Sequence, residues 1–303
     1  RGWSGRDNTS MYAYPGYSNA TGVTLWIFTI NGHLPAYPPG TINPRGFNLP
    51  EGWEEQNNRR WNTDPYAESA LRLMNYMVRS TALPGIANGN NQNSESNEES
   101  RHCGYNANRQ AITCNRVPGT VNNRGAYMRS SNVYLTGMET GAMATVLPAF
   151  AGTPVQHGNA AGQSFEWLIQ EQVDYLGYQM FDGGCAKGGY LYGASHGDGS
   201  CSHMDLSTTQ WAYIGLESGD VAGAPYGVIT NNRHKYRIAD NLIANQLGDG
   251  GGRYRSTEPT SDYKLTGGHI VAARWLNIHN FPRDGVVPFP GESGRTRQQL
   301  LDS

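Results

Sequence analysis

The chain has 303 residues, a formal net charge of −2 and a pI near 6.5. That balance lacks the basic footprint of a nucleic-acid binder, while 16% charged and 11% aromatic residues exclude general disorder. No apolar run of 18 residues occurs, so no transmembrane helix is expected, and the length is read as one large domain over 1–303.

Glycine, with 39 residues, is about twice its usual share of about 7%. It has no Gly-X-Y period, which removes collagen and assigns it to turns and loops. Five segments share one layout, a polar cap followed by an apolar helix. The first runs from Ser18 through Leu25, Trp26 and Phe28 to Gly32, placed as a left-handed C-cap. Residues 31–62 are Pro- and Gly-rich and are expected to be irregular. The second opens on Thr63-Asp64-Pro65 and continues through Ala70, Leu71, Met74 and Met77.

Residues 87–115 form a polar insertion, expected to need a staple or a ligand to become ordered. Its Glu95, Glu98 and Glu99, with neighbouring Asn side chains, could hold Ca²⁺ or another divalent cation, although the spacing is not that of an EF-hand. A solvated acidic loop is the competing reading. The third capped segment starts at Ser130-Ser131-Asn132 and carries Val133, Leu135, Met138, Met143 and Leu147.

A partner helix is predicted over 164–180, with Phe165, Leu168, Ile169, Val173 and Leu176 on one face. Phe181-Asp182-Gly183-Gly184 and Gly189-Tyr190-Leu191-Tyr192 follow, then the fourth capped helix, from Asp205 to a C-cap at Gly219. A second partner helix, 233–247, leads to Asp249-Gly250-Gly251-Gly252-Arg253-Tyr254 and the fifth capped helix, 262–276. Helix, Asp-Gly-Gly turn, Gly/Tyr-rich extension and second helix therefore recur, as in a repeat protein.

This order resembles the α/α-toroid repeats of squalene cyclases and protein prenyltransferase β-subunits. In that superfamily an outer helix ends in an Asp-Gly-Gly turn before an inner helix. Asn31-Gly32-His33-Leu34-Pro35 and Thr208-Thr209-Gln210-Trp211-Ala212-Tyr213-Ile214-Gly215-Leu216 are similar to stretches of uncharacterised exported bacterial proteins of that type. The resemblance is fuller over 164–280 than over 1–150, and it implies an all-α chain folded as an α/α toroid. The superfamily's chemistries do not carry over. There is no Asp-x-Asp-Asp acid motif, Asp182 and Cys185 are one residue too far apart for the prenyltransferase zinc pair, and Cys103-Gly104-Tyr105-Asn106 departs from the thioester motif.

The four cysteines fall in two local pairs, Cys103 with Cys114 and Cys185 with Cys201. An even count in polar loops fits disulfides and an oxidising compartment: extracellular, cell surface or periplasm. Four free thiols in a cytosolic protein is the alternative. The start at Arg1, without a signal peptide, suits a trimmed product or part of a longer chain.

Two histidines and two carboxylates, His196, Asp198, His203 and Asp205, lie within ten residues. They could supply acid/base groups or bind a divalent cation. Against this, Asp205 also suits a helix cap and the histidines suit solvent. Trp26, Trp211 and Trp275 recur at similar points of three helices, and would line a ligand site or pack between layers. The expectation is a non-enzymatic surface-layer, filament or matrix protein. Its partners would be copies of itself, other surface or matrix proteins, or a glycan. The alternative is a toroid enzyme acting on a polysaccharide or terpenoid through residues 196–205.

Overall fold

The computed structural model describes residues 16–41, 48–86, 102–105, 111–113, 117–120, 124–193 and 197–276. Nine α-helices occur among them: α1 Gly16–Ile30, α2 Trp53–Thr63, α3 Ala67–Arg79, α4 Val133–Ala144, α5 Leu147–Phe150, α6 Phe165–Gln179, α7 Leu206–Gly223, α8 Asn232–Asn245 and α9 Tyr263–Trp275. Strands are short: β1 Thr81–Ala82, β2 His102–Tyr105, β3 Ala111–Thr113, β4 Tyr127–Met128, β5 Phe181–Gly184 and β6 Gly197–Gly199. The all-α expectation holds, and among the described residues no helix is long and apolar enough to cross a membrane.

Polar caps start α4, α6 and α7. Asn132 Oδ1 accepts from Tyr134 N at 2.9 Å, Ser164 Oγ from Trp167 N at 3.3 Å and Asp205 Oδ1 from Thr208 N at 3.1 Å. Each satisfies an amide that the first turn leaves free. The expected caps of the first two segments fall elsewhere: Ser18 lies inside α1, and Asp64 closes the end of α2 while α3 starts at Ala67 after Tyr66. Gly32, at φ 88°, ends α1 as expected, with His33 N donating to Phe28 O and Gly32 N to Thr29 O.

The helices lie in two sets of opposite direction. Helices α1, α4, α7 and α9 form a parallel row. Gly22 meets Glu139 and Trp26 covers Gly141 at the α1–α4 contact. The first turns of α4 and α7 both touch Tyr192. Gln210 meets Gly268, and Asp220 accepts from Trp275 Nε1 at 3.1 Å, at the α7–α9 contact. Helices α3, α6 and α8 run the other way. Tyr66 at the start of α3 stacks on Phe28 at the end of α1. Tyr175 near the end of α6 bonds Ser131 O just ahead of α4, and Lys235 at the start of α8 bonds Asp220 near the end of α7. Helices α4 and α6, buried almost all round, occupy the centre. Their Val133, Met143, Phe165, Leu168, Ile169 and Leu176 belong to one hydrophobic core.

Each antiparallel helix thus feeds, through a paired extension, a helix of the parallel row. Strand β1 pairs antiparallel with β4 ahead of α4, and β5 pairs parallel with β6 ahead of α7. Bridges Gln246–Gly252 and Arg253–Ser261 precede α9. The last two units repeat at the level of single hydrogen bonds. Asp205 N donates to Tyr190 O at 3.0 Å, and Asp262 N to Gly252 O at 2.9 Å. Tyr190 N donates to Thr209 Oγ1 and Gly252 N to Thr266 Oγ1, both at 3.0 Å. Tyr190-Leu191-Tyr192 and Gly252-Arg253-Tyr254 are therefore equivalent.

Several expectations require correction. Residues 53–63 are helical, not irregular; α2 buries only Trp53 and Asn57, so its apolar signal is faint. Helix α3 runs against α1, so it belongs with α6 and α8 rather than with the other capped segments. Gly219 does not end α7: the helix continues to Gly223, and Gly219 admits Val173 of α6 instead. Asp182-Gly183-Gly184 is a strand rather than a turn, although Gly184 has φ 68°. A Cβ on Gly184 would lie 2.3 Å from Gly199 O across that strand pair. Within the polar insertion, β2 and β3 pair antiparallel; the remainder of 87–115 lies outside the described residues.

Candidate functional site

The site of interest is a corner where the first turns of α4 and α7 meet the Tyr192 extension. Its base is Asp205, 6% exposed. Asp205 Oδ1 accepts from Thr208 N and from Ser207 Oγ, and Oδ2 accepts from Tyr254 OH at 2.8 Å. Burial, and then the Asp205 carboxylate, raise the Tyr254 phenol above its ordinary pKa, so it stays a proton-bearing donor. Tyr192 OH lies 3.1 Å from Ser207 Oγ. The Tyr192 ring stacks on Tyr134, with centroids 5.8 Å apart and planes 20° apart. Tyr134 in turn meets Trp211 at 5.8 Å.

The backbone positions these rings. Val133 N, the first amide of α4, donates to Tyr192 O at 3.1 Å. Leu206 N, the first amide of α7, donates to Tyr254 O at 3.0 Å. Each tyrosine extension thus closes the N-terminus of the preceding helix in the row.

The predicted residues divide. His196 lies outside the described residues, as does the side chain of Asp198, whose backbone pairs with Gly183 in β6. His203 is exposed, its ring 6.2 Å from Phe181 and its Nδ1 3.4 Å from Ser200 N. Asp205 faces Tyr254 and the first turn of α7 instead. His203 and Asp205 therefore have different surroundings despite their spacing. Glu95, Glu98, Glu99 and Cys114 lie outside the described residues, as does the side chain of Cys103. Cys185 and Cys201 are joined by a disulfide, and Asp182 forms a buried ion pair with Arg237. Among the described residues no group of three His, Cys, Asp or Glu side chains could hold a metal ion.

The tryptophans also divide. Trp211 belongs to the corner, and Trp26 lies over Gly141 of α4. Trp275 ties α9 to α7 and α8, donating to Asp220 with Lys235 5.6 Å from its ring. Reading the sequence misses Tyr134, Ser207 and the roles of Tyr192 and Tyr254. The available signal was the tyrosine that recurs after each Asp-Gly-Gly stretch.

Compared with protein-family models, curated proteins and solved structures, the chain has no significant match.

Proposed function

We propose that the chain is an α/α toroid, open rather than closed, that acts outside the cytoplasm as a non-enzymatic binding or assembly protein. Its working surface is formed by the exposed sides of α1, α7 and α9, the helices of the parallel row that flank the buried α4. The carrying observation is where exposed apolar side chains fall. Of eight large ones among the described residues, Ile27, Ile30, Val221, Tyr263 and Ile270 stand on that row and Tyr192 leads into it. Only Tyr66 and Tyr76 are at or on an antiparallel helix. Exposed apolar side chains on these helices are what a ligand or another chain would cover. The Cys185–Cys201 disulfide supports the oxidising compartment. The duties of Asp205 as cap and as acceptor for Tyr254 favour binding over proton transfer.

The test replaces exposed row residues by charge, Ile27→Asp and Ile270→Asp, in the full chain. Self-association in sedimentation, or retention on the surface of producing cells, should fall, with thermal melting almost unchanged. A turnover of polysaccharide or terpenoid abolished by His196→Ala or His203→Ala, with assembly untouched, would overturn the reading in favour of an enzyme.

A further inference from the structure

We propose that the Tyr192 corner is a subsite for a neutral carbohydrate, which rests on the binding role above and names its ligand class. Proton direction assigns each hydroxyl its role. The Asp205 carboxylate accepts only, so Ser207, with one hydroxyl proton, spends it on Asp205. Tyr192 must then donate its own proton to Ser207. The relay runs Tyr192 O–H to Ser207 O–H to Asp205. Its outer end is a phenol oxygen whose remaining capacity is to accept. That oxygen suits a ligand hydroxyl, and the chain of hydrogen bonds polarises it toward accepting.

The ring supplies the second half of recognition. Tyr192 is 45% exposed, yet its stack on Tyr134 and its bond to Ser207 hold it still. A fixed aromatic face beside a polar tip gives contact area at low entropic cost. A pyranose offers the complement: a face of C–H groups to lie on the ring, and equatorial hydroxyls at its edge. The negative charge at the base of the relay disfavours phosphates and uronic acids, so the sugar is a neutral one.

The equivalent tyrosine shows that this arrangement is not imposed by the repeat. Tyr254 occupies the same place one unit later, but its hydroxyl reaches the cap carboxylate of α7 directly. Two residues beyond each cap, α7 has small Ser207 and α4 has bulky Tyr134. Ser207 lets Tyr254 fold inward, whereas Tyr134 props Tyr192 outward.

The experiment screens the disulfide-intact chain against malto-, cello-, xylo- and N-acetylchito-oligosaccharides, with polygalacturonate as the anionic comparison, and follows hits by calorimetry. Neutral sugars should bind and polygalacturonate should not. Tyr192→Ala should abolish binding. Tyr192→Phe and Ser207→Ala should each weaken it by about two- to tenfold, the worth of one hydrogen bond. Tyr76→Ala, on α3, should bind as the unaltered chain does. Absence of binding to every neutral sugar, or unchanged binding by folded Tyr192→Ala, overturns the proposal. If the Ile27 and Ile270 variants still lose assembly in that case, the wider binding role stands without it. Shortening of a bound oligosaccharide that depends on Tyr192 would retain the subsite and overturn the non-enzymatic reading.

Discussion

The α4–α7 and α7–α9 contacts are built from equivalent parts and differ in two respects. At α4–α7 the helices meet backbone to backbone: a Cβ on Gly137 would lie 2.2 Å from Trp211 O, and one on Gly215 would lie 2.7 Å from Gly137 O. At α7–α9 a side chain intervenes, since a Cβ on Gly268 would lie 2.3 Å from Gln210 Cβ. The tyrosine extension is propped outward at the first contact and bound to a buried carboxylate at the second. One repeat thus serves a backbone-to-backbone joint with an exposed corner and a joint spaced by a side chain with a closed one.

The largest effect should come from Gly137→Ala. The added methyl strikes a carbonyl that cannot rotate away, so α4 and α7 must separate through the core. A loss of about 3 kcal/mol is expected after allowing for the better helix propensity of Ala. Chemical denaturation measures it, and no replacement of a neighbouring side chain should restore the loss. Gly268→Ala should also destabilise, but Gln210→Gly should restore part of that loss. A double-mutant cycle with strong coupling at Gly268 and none at Gly137 would establish the contrast; equal rescue at both would break it.

The second effect depends on pH. His269, on α9, is 8% exposed, and burial lowers its pKa to about 4. Between pH 6.5 and 4 the unfolded chain binds a proton at this position that the folded chain refuses. Stability contributed by the neutral ring is therefore present above pH 6.5 and is lost as pH falls toward 4. The loss should reach about 3 kcal/mol. His269→Gln should flatten that part of the stability-against-pH curve; an unchanged slope would remove His269 as its source.

These contrasts also show what can be read from the chain alone. Helices α1, α6, α7, α8 and α9 are legible because caps and 3.6-residue spacing report local structure. Helix α2 is not, since WEEQNNRRWNT carries little apolar pattern. Excess glycine was readable as turns, and Gly32 and Gly250 do take positive φ. Yet Gly137, Gly215 and Gly219 sit inside helices, where glycine lets a neighbour approach. Which helix approaches is a tertiary fact with no local signature. The same holds for Asp205. Its role as a cap follows from sequence, but its bond to Tyr254, 49 residues away, does not.

Asp205→Ala should cost about 2 kcal/mol, combining a lost cap with an unpaired Tyr254 hydroxyl. Thermal melting before and after the change measures it, and a loss no larger than that of Asn132→Ala would mean that Tyr254 adds nothing to the closed corner.

The smallest effect is the most discriminating. Tyr254→Phe removes the hydroxyl that binds the Asp205 carboxylate at 2.8 Å, and should lower stability by about 1 kcal/mol. Tyr192→Phe removes an equivalent hydroxyl, but one on an exposed ring whose partner, Ser207, keeps its bond to Asp205. Water replaces the lost donor there, so the change should stay within about 0.5 kcal/mol. Matched denaturation curves of the two variants read the difference directly. Equal losses would mean that both tyrosines hold the fold alike and that the Tyr192 corner is as closed as its counterpart. A loss confined to Tyr254 means that the Tyr192 hydroxyl orients its ring without adding to the stability of the fold, as expected of a group that faces a ligand.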